Sequence, residues 1–308
     1  MMTIQRKKYL LLLSLLLSIS ATYAQFSAKK KIVLLPPNIE NNNLITEKKE
    51  FGETDRRGLV FGINMGMLKG NGYSALYYNG HPSNENNIKY IIDNSYYYNE
   101  IKHQLNERNY KLHSVPTTMS YDISMLIGFY ARYNFNNTTG IFIQFNYSKL
   151  NTTGEFALEI DSVNFTSEPS LRYFPIYGQE QRTYIDVGLQ KQWFLGELTN
   201  FFVEGGINFT NVLVKKSGII INDLDYSIVN VYGSQQYTPN SGMQPYDVKQ
   251  GGIGIGFFGG AGISIKFNDN VSIEPAFNVY YQSINLPGYD QHRLNYSIFM
   301  RLALRNFL

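Results

Sequence analysis

The chain has 308 residues, contains no cysteine, and carries 27 Lys and Arg against 24 Asp and Glu. Three of the basic residues lie in the first 24 positions, which hold no acidic residue, so the rest of the chain has 24 bases against 24 acids. This charge balance does not indicate a nucleic-acid-binding protein. The lack of cysteine excludes a disulfide framework and a lipoprotein anchor.

The first 24 residues have the order of a secretory signal peptide. A basic head at Arg6–Lys8 precedes an apolar run from Leu10 to Ile19, and Thr22 and Ala24 are the small residues expected before a cleavage site. The run is shorter than the roughly 20 apolar residues that cross a bilayer. We therefore predict a signal peptide at 1–24, a polar periplasmic N-terminal tail at 25–56 and an outer-membrane β-barrel at 57–308.

Eight stretches of the chain place apolar side chains at every second position. The stretch from Ile253 to Phe267 has the clearest alternation, with glycines at most of the intervening positions. A period of two is typical of a β-strand, because successive side chains point to opposite faces. The predicted strands are 59–67, 121–135, 141–147, 185–193, 201–209, 253–267, 271–281 and 294–304.

The connectors between these strands are alternately long and short. The long ones are 70–119, about 150–181 and about 214–251, a brief loop takes 284–292, and the short turns lie near 136–140, 196–200 and 268–270. Tight periplasmic turns and large external loops are typical of outer-membrane barrels. The fold class that follows is all-β: an up-and-down antiparallel transmembrane β-barrel with eight strands, or ten if segments near 155–160 and 219–232 add a hairpin.

The first long connector also contains a helical pattern. Apolar residues from Ile88 to Leu105 recur at three- and four-residue steps, which places them on one face of an amphipathic helix. We expect this helix in the first external loop, over the mouth of the barrel.

The apolar face of each strand is predicted to contact lipid. The opposite face is mostly Gly, Asn, Gln and Ser with a few charges, whereas the exterior of a soluble protein carries many Lys and Glu. Aromatic residues stand near the strand ends, as in the two aromatic girdles of a membrane barrel. The predicted location is the outer membrane of a Gram-negative bacterium, with outer-membrane lipid as a partner.

Eight charged residues lie on the predicted inward face or at its ends. Their burial without partners would cost several kcal/mol each, so we predict that the acids pair with the bases inside the lumen. One interpretation is a structural plug, since the lumen of eight strands is narrow; the other is a path for protons or ions. The predicted network comprises Asp122, Asp186, Glu204 and Glu274 with Arg132, Lys266, Arg301 and Arg305.

Motifs for catalysis, cofactors or metals are weak in this chain. Gly254, Gly256 and Gly259 have G-x-G-x-x-G spacing, but the strand pattern continues where a nucleotide-binding motif needs a helix. An Asn-Asp-Leu-Asp run at 222–225 offers oxygen ligands to calcium, although a solvated turn also explains it. Four histidines in predicted loops suggest neither a metal site nor a catalytic group by their spacing: His81, His103, His113 and His292. We predict no enzyme activity, no cofactor and no metal.

The predicted external loops are rich in tyrosine, asparagine and glycine. Tyrosine provides a large contact area at a low cost in conformational entropy, so a binding surface for an envelope protein or a glycan is one interpretation. The alternative is that the rings pack the loops onto each other. The candidate binding residues are Tyr96, Tyr97, Tyr98, Tyr226, Tyr232 and Tyr237.

Three segments resemble a known group of proteins: the Ala24–Gln25 junction, the strand Gly140–Tyr147 and the final stretch from Tyr296 to Leu308. They are similar to small outer-membrane barrels of Bacteroidota, the PorT-like or porin-family group. The resemblance implies a cell-envelope location and supplies no catalytic residues. The functional hypotheses are a barrel whose loops bind a partner or support an envelope machine for secretion or motility, a small-solute channel, and a lipid- or peptide-modifying enzyme.

Overall fold

A computed structural model of the chain describes residues 57–161, 170–228 and 250–305. The predicted signal peptide and N-terminal tail lie outside the described residues. Ten strands and a few short helices make up the described part. The strands are β1 Gly58–Lys69, β2 Tyr110–Ser114, β3 Ser124–Asn134, β4 Thr139–Ile160, β5 Ser170–Phe194, β6 Thr199–Ile221, β7 Leu224–Ser227, β8 Gly251–Lys266, β9 Val271–Gln282 and β10 Arg293–Arg305. The helices are α1 Gly72–Ala75, a 3₁₀ helix Leu76–Tyr78, α2 Lys89–Ile92 and α3 Ser95–Gln104.

Eight of the strands form a ring of antiparallel pairs. Each strand from β3 to β6 and from β8 to β10, together with β1, pairs with two neighbours, and the ring closes where β1 pairs with β10. The short strands β2 and β7 pair with β4 and β6, which brings the sheet to ten strands. The predicted fold class, an all-β up-and-down antiparallel sheet, is confirmed. Closure leaves none of the eight with an unpaired edge, which an element surrounded by lipid requires.

In two of the three short turns, asparagine side chains supply partners for backbone amides; the third, at 195–198, is closed by a backbone hydrogen bond from the Leu195 amide to the Thr199 carbonyl at 3.0 Å. Asn136 Oδ1 accepts hydrogen bonds from the amides of Thr138 and Thr139 at 2.9 and 2.8 Å. Asn268 Oδ1 does the same for Asn270 and Val271, at 2.9 and 2.8 Å. Such Asx turns reverse the chain within a few residues. We call this end of the barrel the turn end and the opposite one, with the long connectors, the loop end.

Alternation along the ring strands separates an exposed apolar face from a buried inner face. Phe257 is 65% exposed and its neighbour Phe258 only 5%, and the same contrast holds for Ile298 and Phe299 at 70% and 4%. Exposed apolar side chains recur on all eight ring strands. A contiguous apolar surface of this size marks contact with another apolar phase rather than with water.

The glycines of β8 are packed against β9 rather than around a ligand. A Cβ added to Gly256 would lie 2.4 Å from the Cβ of Gln282, and one added to Gly260 would lie 1.9 Å from Asn278 Oδ1. The strand continues through Gly254, Gly256 and Gly259 to Lys266. Atoms of the adjacent chain segment fill the space that a Cβ would need at Gly254, Gly256 and Gly260, whereas the nearest atom to a Cβ at Gly259 lies 4.0 Å away.

Two of the predicted long connectors are wrong in extent. Residues 150–160 continue β4, 170–181 begin β5, and 214–221 continue β6. The outward residues of the β4 extension are polar, as in Lys149, Asn151 and Thr153, and on β5 the residues next to the belt, Gln179 and Gln181, are polar too. The apolar alternation that marks a lipid-facing strand therefore stops although the strand does not.

The extended parts of β4, β5 and β6 continue the same sheet beyond the loop end, where β2 and β7 flank them. A β-bulge at Lys215 shifts the β5–β6 register, since Glu180 pairs with Val214 and Gln179 with Lys216. One extra residue turns every following side chain to the other face. Ile219 and Ile221 are thereby buried.

The inner face of these strand extensions has its own apolar core. Its side chains come from the extended strands, from α2 and α3, and from β7. We call this unit the cap: α2, α3, β2, β7 and the extensions of β4–β6. The core comprises Ile88, Ile91, Ile92, Ile101, Leu105, Tyr110, Phe156, Leu158, Ile160, Phe174, Ile176, Ile219, Ile221, Tyr226 and Ile228.

The helical pattern of the first connector folds as two helices rather than one. Asn94 separates α2 from α3 with an extended backbone, and its side chain caps α3 by accepting a hydrogen bond from the Tyr96 amide at 3.0 Å. An N-cap asparagine starts a helix because it satisfies an otherwise unpaired amide. None of the helices in the described ranges is long and apolar enough to cross a bilayer.

Candidate functional site

Arg301 is the centre of the charge network in the barrel lumen. Its Nη1 lies 2.8 Å from Glu204 Oε1 and 3.1 Å from Glu274 Oε2. Its Nε donates to Asn64 Oδ1 at 3.0 Å, and its guanidinium lies 3.4 Å from the centre of the Tyr130 ring. Arg301 is fully buried. Such a charge is tolerated in a protein interior only when its hydrogen bonds and its countercharge are both supplied.

Arg132 is the second buried base of this network. Its Nη2 lies 3.7 Å from Glu274 Oε1, and its Nη1 donates to the Tyr130 hydroxyl at 3.3 Å and to Gln190 Oε1. The structure thus joins four predicted residues, Arg132, Arg301, Glu204 and Glu274, from strands β3, β10, β6 and β9.

Asp186 is inward and fully buried, but neutral donors hold it. Gln144 Nε2 donates to Asp186 Oδ2 at 2.6 Å, the Tyr280 hydroxyl at 3.2 Å, and Asn208 Nδ2 donates to the other carboxylate oxygen. The prediction that a base pairs with each acid therefore needs a correction here, because amide and hydroxyl donors satisfy this carboxylate.

Three other predicted members lie elsewhere. Asp122 is exposed, because Tyr121 bridges to Thr152 and takes the buried position. Two adjacent residues, 122 and 123, are then exposed before β3 begins, so the parity assumed for this segment is wrong. Lys266 and Arg305 are half-exposed and line a small cavity at the turn end, beside Arg132 and Glu274.

A second buried ion pair, which the sequence analysis missed, lies at the loop end of the lumen. Arg182 Nε donates to Glu180 Oε1 at 2.5 Å, and both side chains are fully buried. Glu180 Oε2 accepts from the hydroxyls of Tyr78 and Tyr121 at 2.6 and 2.9 Å. Arg182 Nη2 donates to Ser74 Oγ at 3.1 Å. The pair fixes the start of the first connector, which carries Ser74 and Tyr78, within the barrel mouth.

A sequence signal for this pair exists. Residues 180 and 182 share the parity of Tyr184 and Asp186 on β5, so both continue the inward face. They were assigned to a connector because no apolar residue alternates with them on the outward face. A polar strand beyond the membrane has no apolar stripe to reveal it.

Aromatic rings fill the lumen between the two ion clusters. Successive ring centres are 5.3 to 5.9 Å apart. Close packing of this kind excludes water as the core of a soluble protein does. Within the described part of the barrel, the chain of rings runs through Tyr130, Phe142, Phe258, Tyr280 and Tyr184.

The candidate tyrosines of the cap have different environments. Tyr226 is 8% exposed, its hydroxyl donates to Glu100 Oε2 at 2.9 Å, and its ring lies 5.2 Å from that of Tyr97. Tyr98 stacks on Tyr110 at 5.2 Å. Tyr97, Tyr98 and Tyr226 therefore pack the cap together. Tyr96 is 61% exposed, and Tyr232 and Tyr237 lie outside the described residues.

Burial and hydrogen bonding change the ionisation of groups in the cap. Burial, with a 2.6 Å hydrogen bond from its hydroxyl to Asp225, raises the pKa of Tyr177 to about 12. The hydrogen bond from Lys111 at 2.9 Å, with His113 at 3.6 Å, holds the pKa of the Glu159 carboxyl below its usual value. These polar contacts link β2 to β4 and β5 to β7 on the cap surface.

The run at 222–225, considered above for calcium, starts in the β6–β7 turn, and two of the four histidines lie on elements of the cap. Asn222 has a φ of 50° in the β6–β7 turn, and its Nδ2 donates to the Gln104 carbonyl at 2.8 Å. His113 lies on β2 and His103 on α3. In the ranges that the structure describes, no group of three His, Asp or Glu side chains has the arrangement of a metal site.

No protein-family model matches the sequence, and no curated protein matches it either. Among solved structures, the Neisserial surface protein A is similar at 6% identity and a TM-score of 0.40, over 80% of this chain and 96% of that one. The outer membrane protein OprG from Pseudomonas aeruginosa is similar at 11% identity and a TM-score of 0.37, over 81% and 97%. The attachment invasion locus protein Ail of Yersinia pestis, in complex with the heparin analogue sucrose octasulfate, is similar at 12% identity and a TM-score of 0.32, over 80% and 97%. The assignment of the fold rests on the strand pairings of the chain itself.

Proposed function

We propose that this chain is an outer-membrane β-barrel protein whose packed barrel is a membrane anchor and whose cap binds a protein or glycan partner at the cell surface. The main observation that supports this proposal is that the apolar residues of β5 change from the outward to the inward face along the strand. Toward the turn end, the outward residues are apolar and the inward ones polar, as in Ile185 and Asp186; toward the cap, Ile176 is buried inward and Gln179 faces outward. A strand that leaves lipid and enters water requires this inversion, because the apolar phase lies outside the barrel and then inside the cap.

The membrane location is supported by the height and the rims of the apolar belt. On β5 the belt runs from Ile185 to Trp193, which is nine residues, and a tilted strand crosses a bilayer with about 9–11 residues. Trp193 and Phe201 lie together at the turn end, with ring centres 5.8 Å apart. Tyr147 on β4 and Tyr296 on β10 lie at the edge of the apolar belt that is nearer the loop end. Amphipathic rings favour the two headgroup levels.

The anchor role is supported by the filling of the lumen. The ion cluster around Arg301, the ring chain and the Glu180–Arg182 pair occupy successive levels of the interior. A solute would have to break several buried ion pairs and hydrogen bonds, each worth on the order of a kcal/mol or more. This favours the structural plug over the proposed small-solute channel.

The binding role is supported by the cap. A membrane anchor alone needs no second core, yet β4, β5 and β6 continue beyond the belt, β5 for about 40 Å along the strand, to build one. Large aromatic residues remain exposed on it, among them Tyr90, Tyr96 and Tyr173. Exposed tyrosines suit contacts with proteins and glycans. The partner class includes components of an envelope machine for secretion or motility.

Cysteine labelling tests the location and orientation, since the natural chain has no cysteine. A Lys102→Cys variant on α3 should react with a membrane-impermeant maleimide in intact cells. A Glu197→Cys variant at the turn end should react only after the outer membrane is opened. Equal labelling of both sites in intact cells would refute the proposed orientation.

Two further measurements test the anchor and binding roles. Planar bilayers containing the purified protein should show no steady conductance above that of lipid alone, whereas stable openings would favour a channel. A photo-crosslinking residue at position 96 or 173 should give a defined adduct in intact cells, and the same residue at the lipid-facing position 257 should not. Absence of an adduct from every exposed cap position would count against a binding role.

A further inference from the structure

Three lysines stand on the outward surface just beyond the apolar belt. Lys149 lies on β4, and Lys215 and Lys216 lie on β6. All three are exposed, and they make no hydrogen bond or ion pair within the described part of the chain. We call this group, with the glutamines between them, the lysine shelf: Lys149, Gln179, Gln181, Lys215 and Lys216.

The strand register brings the lysines to one patch. Lys149 pairs with Gln181 on β5, and Gln179 of the same strand pairs with Lys216 on β6. Two strand spacings separate the β4 and β6 backbones, about 10 Å. The β-bulge at Lys215 leaves two consecutive lysines exposed, where a regular strand would turn one of them inward.

The height of the shelf matches the level of lipid headgroups. Tyr147 is the last belt residue of β4, and Lys149 is the next outward one. The rise between them is about 7 Å. On β6 the belt ends at Phe209, and Lys215 and Lys216 lie six and seven residues beyond it, about 20 Å along the tilted strand. Long lysine side chains at this level reach back to the interface while their stems cover apolar surface.

Charges around the shelf favour an anion. The next acid along the outward face of β4 is Glu155, six residues beyond Lys149. Asp122 lies near Asn151 at the edge of β3, where its amide donates to the Asn151 carbonyl at 2.9 Å. Lys69 extends the basic border along β1, with its Nζ on the Tyr121 carbonyl. Gln181 lies between the two lysine positions and is partly exposed, whereas Gln179 Nε2 donates to Asn151 Oδ1 at 2.8 Å.

We propose that the lysine shelf binds phosphate-bearing lipid headgroups of the outer leaflet, an inference that rests on the proposed membrane location. Phosphate supplies a countercharge for the three lysines, none of which forms an ion pair within the described residues, and a headgroup can bridge Lys149 and Lys216 across β5. Each basic residue near an anionic membrane surface contributes about fivefold in affinity. The three lysines together should therefore favour a phosphate headgroup by about 100-fold at low salt.

Native mass spectrometry of the folded protein tests this inference. Micelles containing equal amounts of dioleoyl phosphatidic acid and dioleoyl phosphatidylcholine provide the probe. The natural chain should retain phosphatidic acid at least tenfold over phosphatidylcholine, and the enrichment should fall as salt rises. The triple variant Lys149→Gln, Lys215→Gln and Lys216→Gln should retain the two lipids almost equally.

Two matched variants control for charge and folding. Lys89→Gln, Lys102→Gln and Lys111→Gln remove the same charge from the cap, away from the belt, and should keep the enrichment. The second variant, which combines Lys149→Arg, Lys215→Arg and Lys216→Arg, retains the positive charges and should therefore retain the enrichment of phosphatidic acid. Should the shelf glutamine variant fail to fold, the salt dependence of the natural chain and the arginine variant still decide the question.

The outcomes separate this inference from the proposed function. Failure of the natural chain to fold into neutral phosphatidylcholine vesicles would overturn the membrane location. Folding there without enrichment of phosphatidic acid, or equal loss in the shelf and cap variants, would overturn the lysine shelf alone. Displacement of the lipid by millimolar inorganic phosphate would show that a soluble anion, rather than a lipid headgroup, is the ligand.

Discussion

Replacement of Arg301 by methionine is the sharpest test of the lumen network. Methionine has a similar length and no charge, so the change leaves Glu204 and Glu274 without their shared base. Both carboxylates are buried. Removal of one member of a buried ion pair typically costs about 3–5 kcal/mol, because the remaining charge stays in a medium of low polarity.

The two carboxylates should contribute unequally to that cost. Glu204 would still accept hydrogen bonds from Gln190 Nε2 at 2.8 Å and from the Tyr130 hydroxyl at 3.1 Å. Glu274 would keep the more distant Arg132, at 3.7 Å, and a hydrogen bond from the Ser264 side chain. Adding Glu274→Gln to Arg301→Met should therefore restore more than half of the lost free energy of unfolding. Adding Glu204→Gln instead should restore less.

Urea unfolding in phosphatidylcholine vesicles measures these differences. The single tryptophan of the chain, Trp193, faces outward at the turn end, so its emission reports loss of the lipid-embedded barrel. A control, Met300→Leu, changes the lipid-facing neighbour of Arg301 and should shift the free energy of unfolding by less than about 0.5 kcal/mol. The reasoning is refuted if Arg301→Met costs less than about 1 kcal/mol, or if both double variants recover equally.

Three further predictions concern the cap and the mouth of the barrel. Ile219→Asn should make the cap sensitive to proteolysis while the barrel stays resistant, because the variant puts an amide into the apolar core at a cost of about 2–5 kcal/mol. The control is Ile220→Asn, on the opposite face of the strand. Equal cleavage of the two variants would contradict the assigned bulge. Tyr78→Phe removes the 2.6 Å hydrogen bond to Glu180 and should increase hydrogen exchange of residues 72–78, measured by mass spectrometry, whereas unchanged exchange would show that this bond does not hold the first connector in place. The pKa of Tyr177 is raised to about 12, so the stabilisation from its protonated form is present below the unfolded value of 10 and is lost as pH rises from 10 to 12. Other buried tyrosines also ionise late, so the ultraviolet titration of the natural chain is compared with that of Tyr177→Phe: the difference should be one tyrosine that ionises near pH 12, and a difference curve with its midpoint near 10 would contradict the assignment.

The sequence predicted the inward face of the ring strands correctly for the four residues of the Arg301 network, but it did not predict which of them pair. Alternation placed Arg132, Glu204, Glu274 and Arg301 on the same side of their strands, and all four are buried there. Which base meets which acid depends on the stagger of strands around a closed ring, a property of several long-range pairings at once. Asp186 illustrates this, since its neighbours across the lumen are Gln144, Asn208 and Tyr280.

The sequence-based predictions are wrong where the strands pass from lipid into water. Glu180 and Arg182 were assigned to a connector because the outward residues beside them, Gln179 and Gln181, are polar. The criterion used for a strand, an apolar stripe, is valid only where one face meets lipid. Asp122 was misassigned for a local reason, because its segment changes parity just before β3.

The sequence alone determined the eight ring strands, their order and which face of each is apolar, because a period of two and short asparagine turns are local properties of the chain. Only the tertiary structure decided the pairing of the buried charges, the length of β4–β6 and the existence of the cap. These depend on register, on a single bulge at Lys215 and on contacts between residues more than 100 positions apart, such as Tyr226 with Glu100. Local periodicity does not predict such long-range contacts, because it indicates which face of the strand a side chain lies on and not which residues pack against that face.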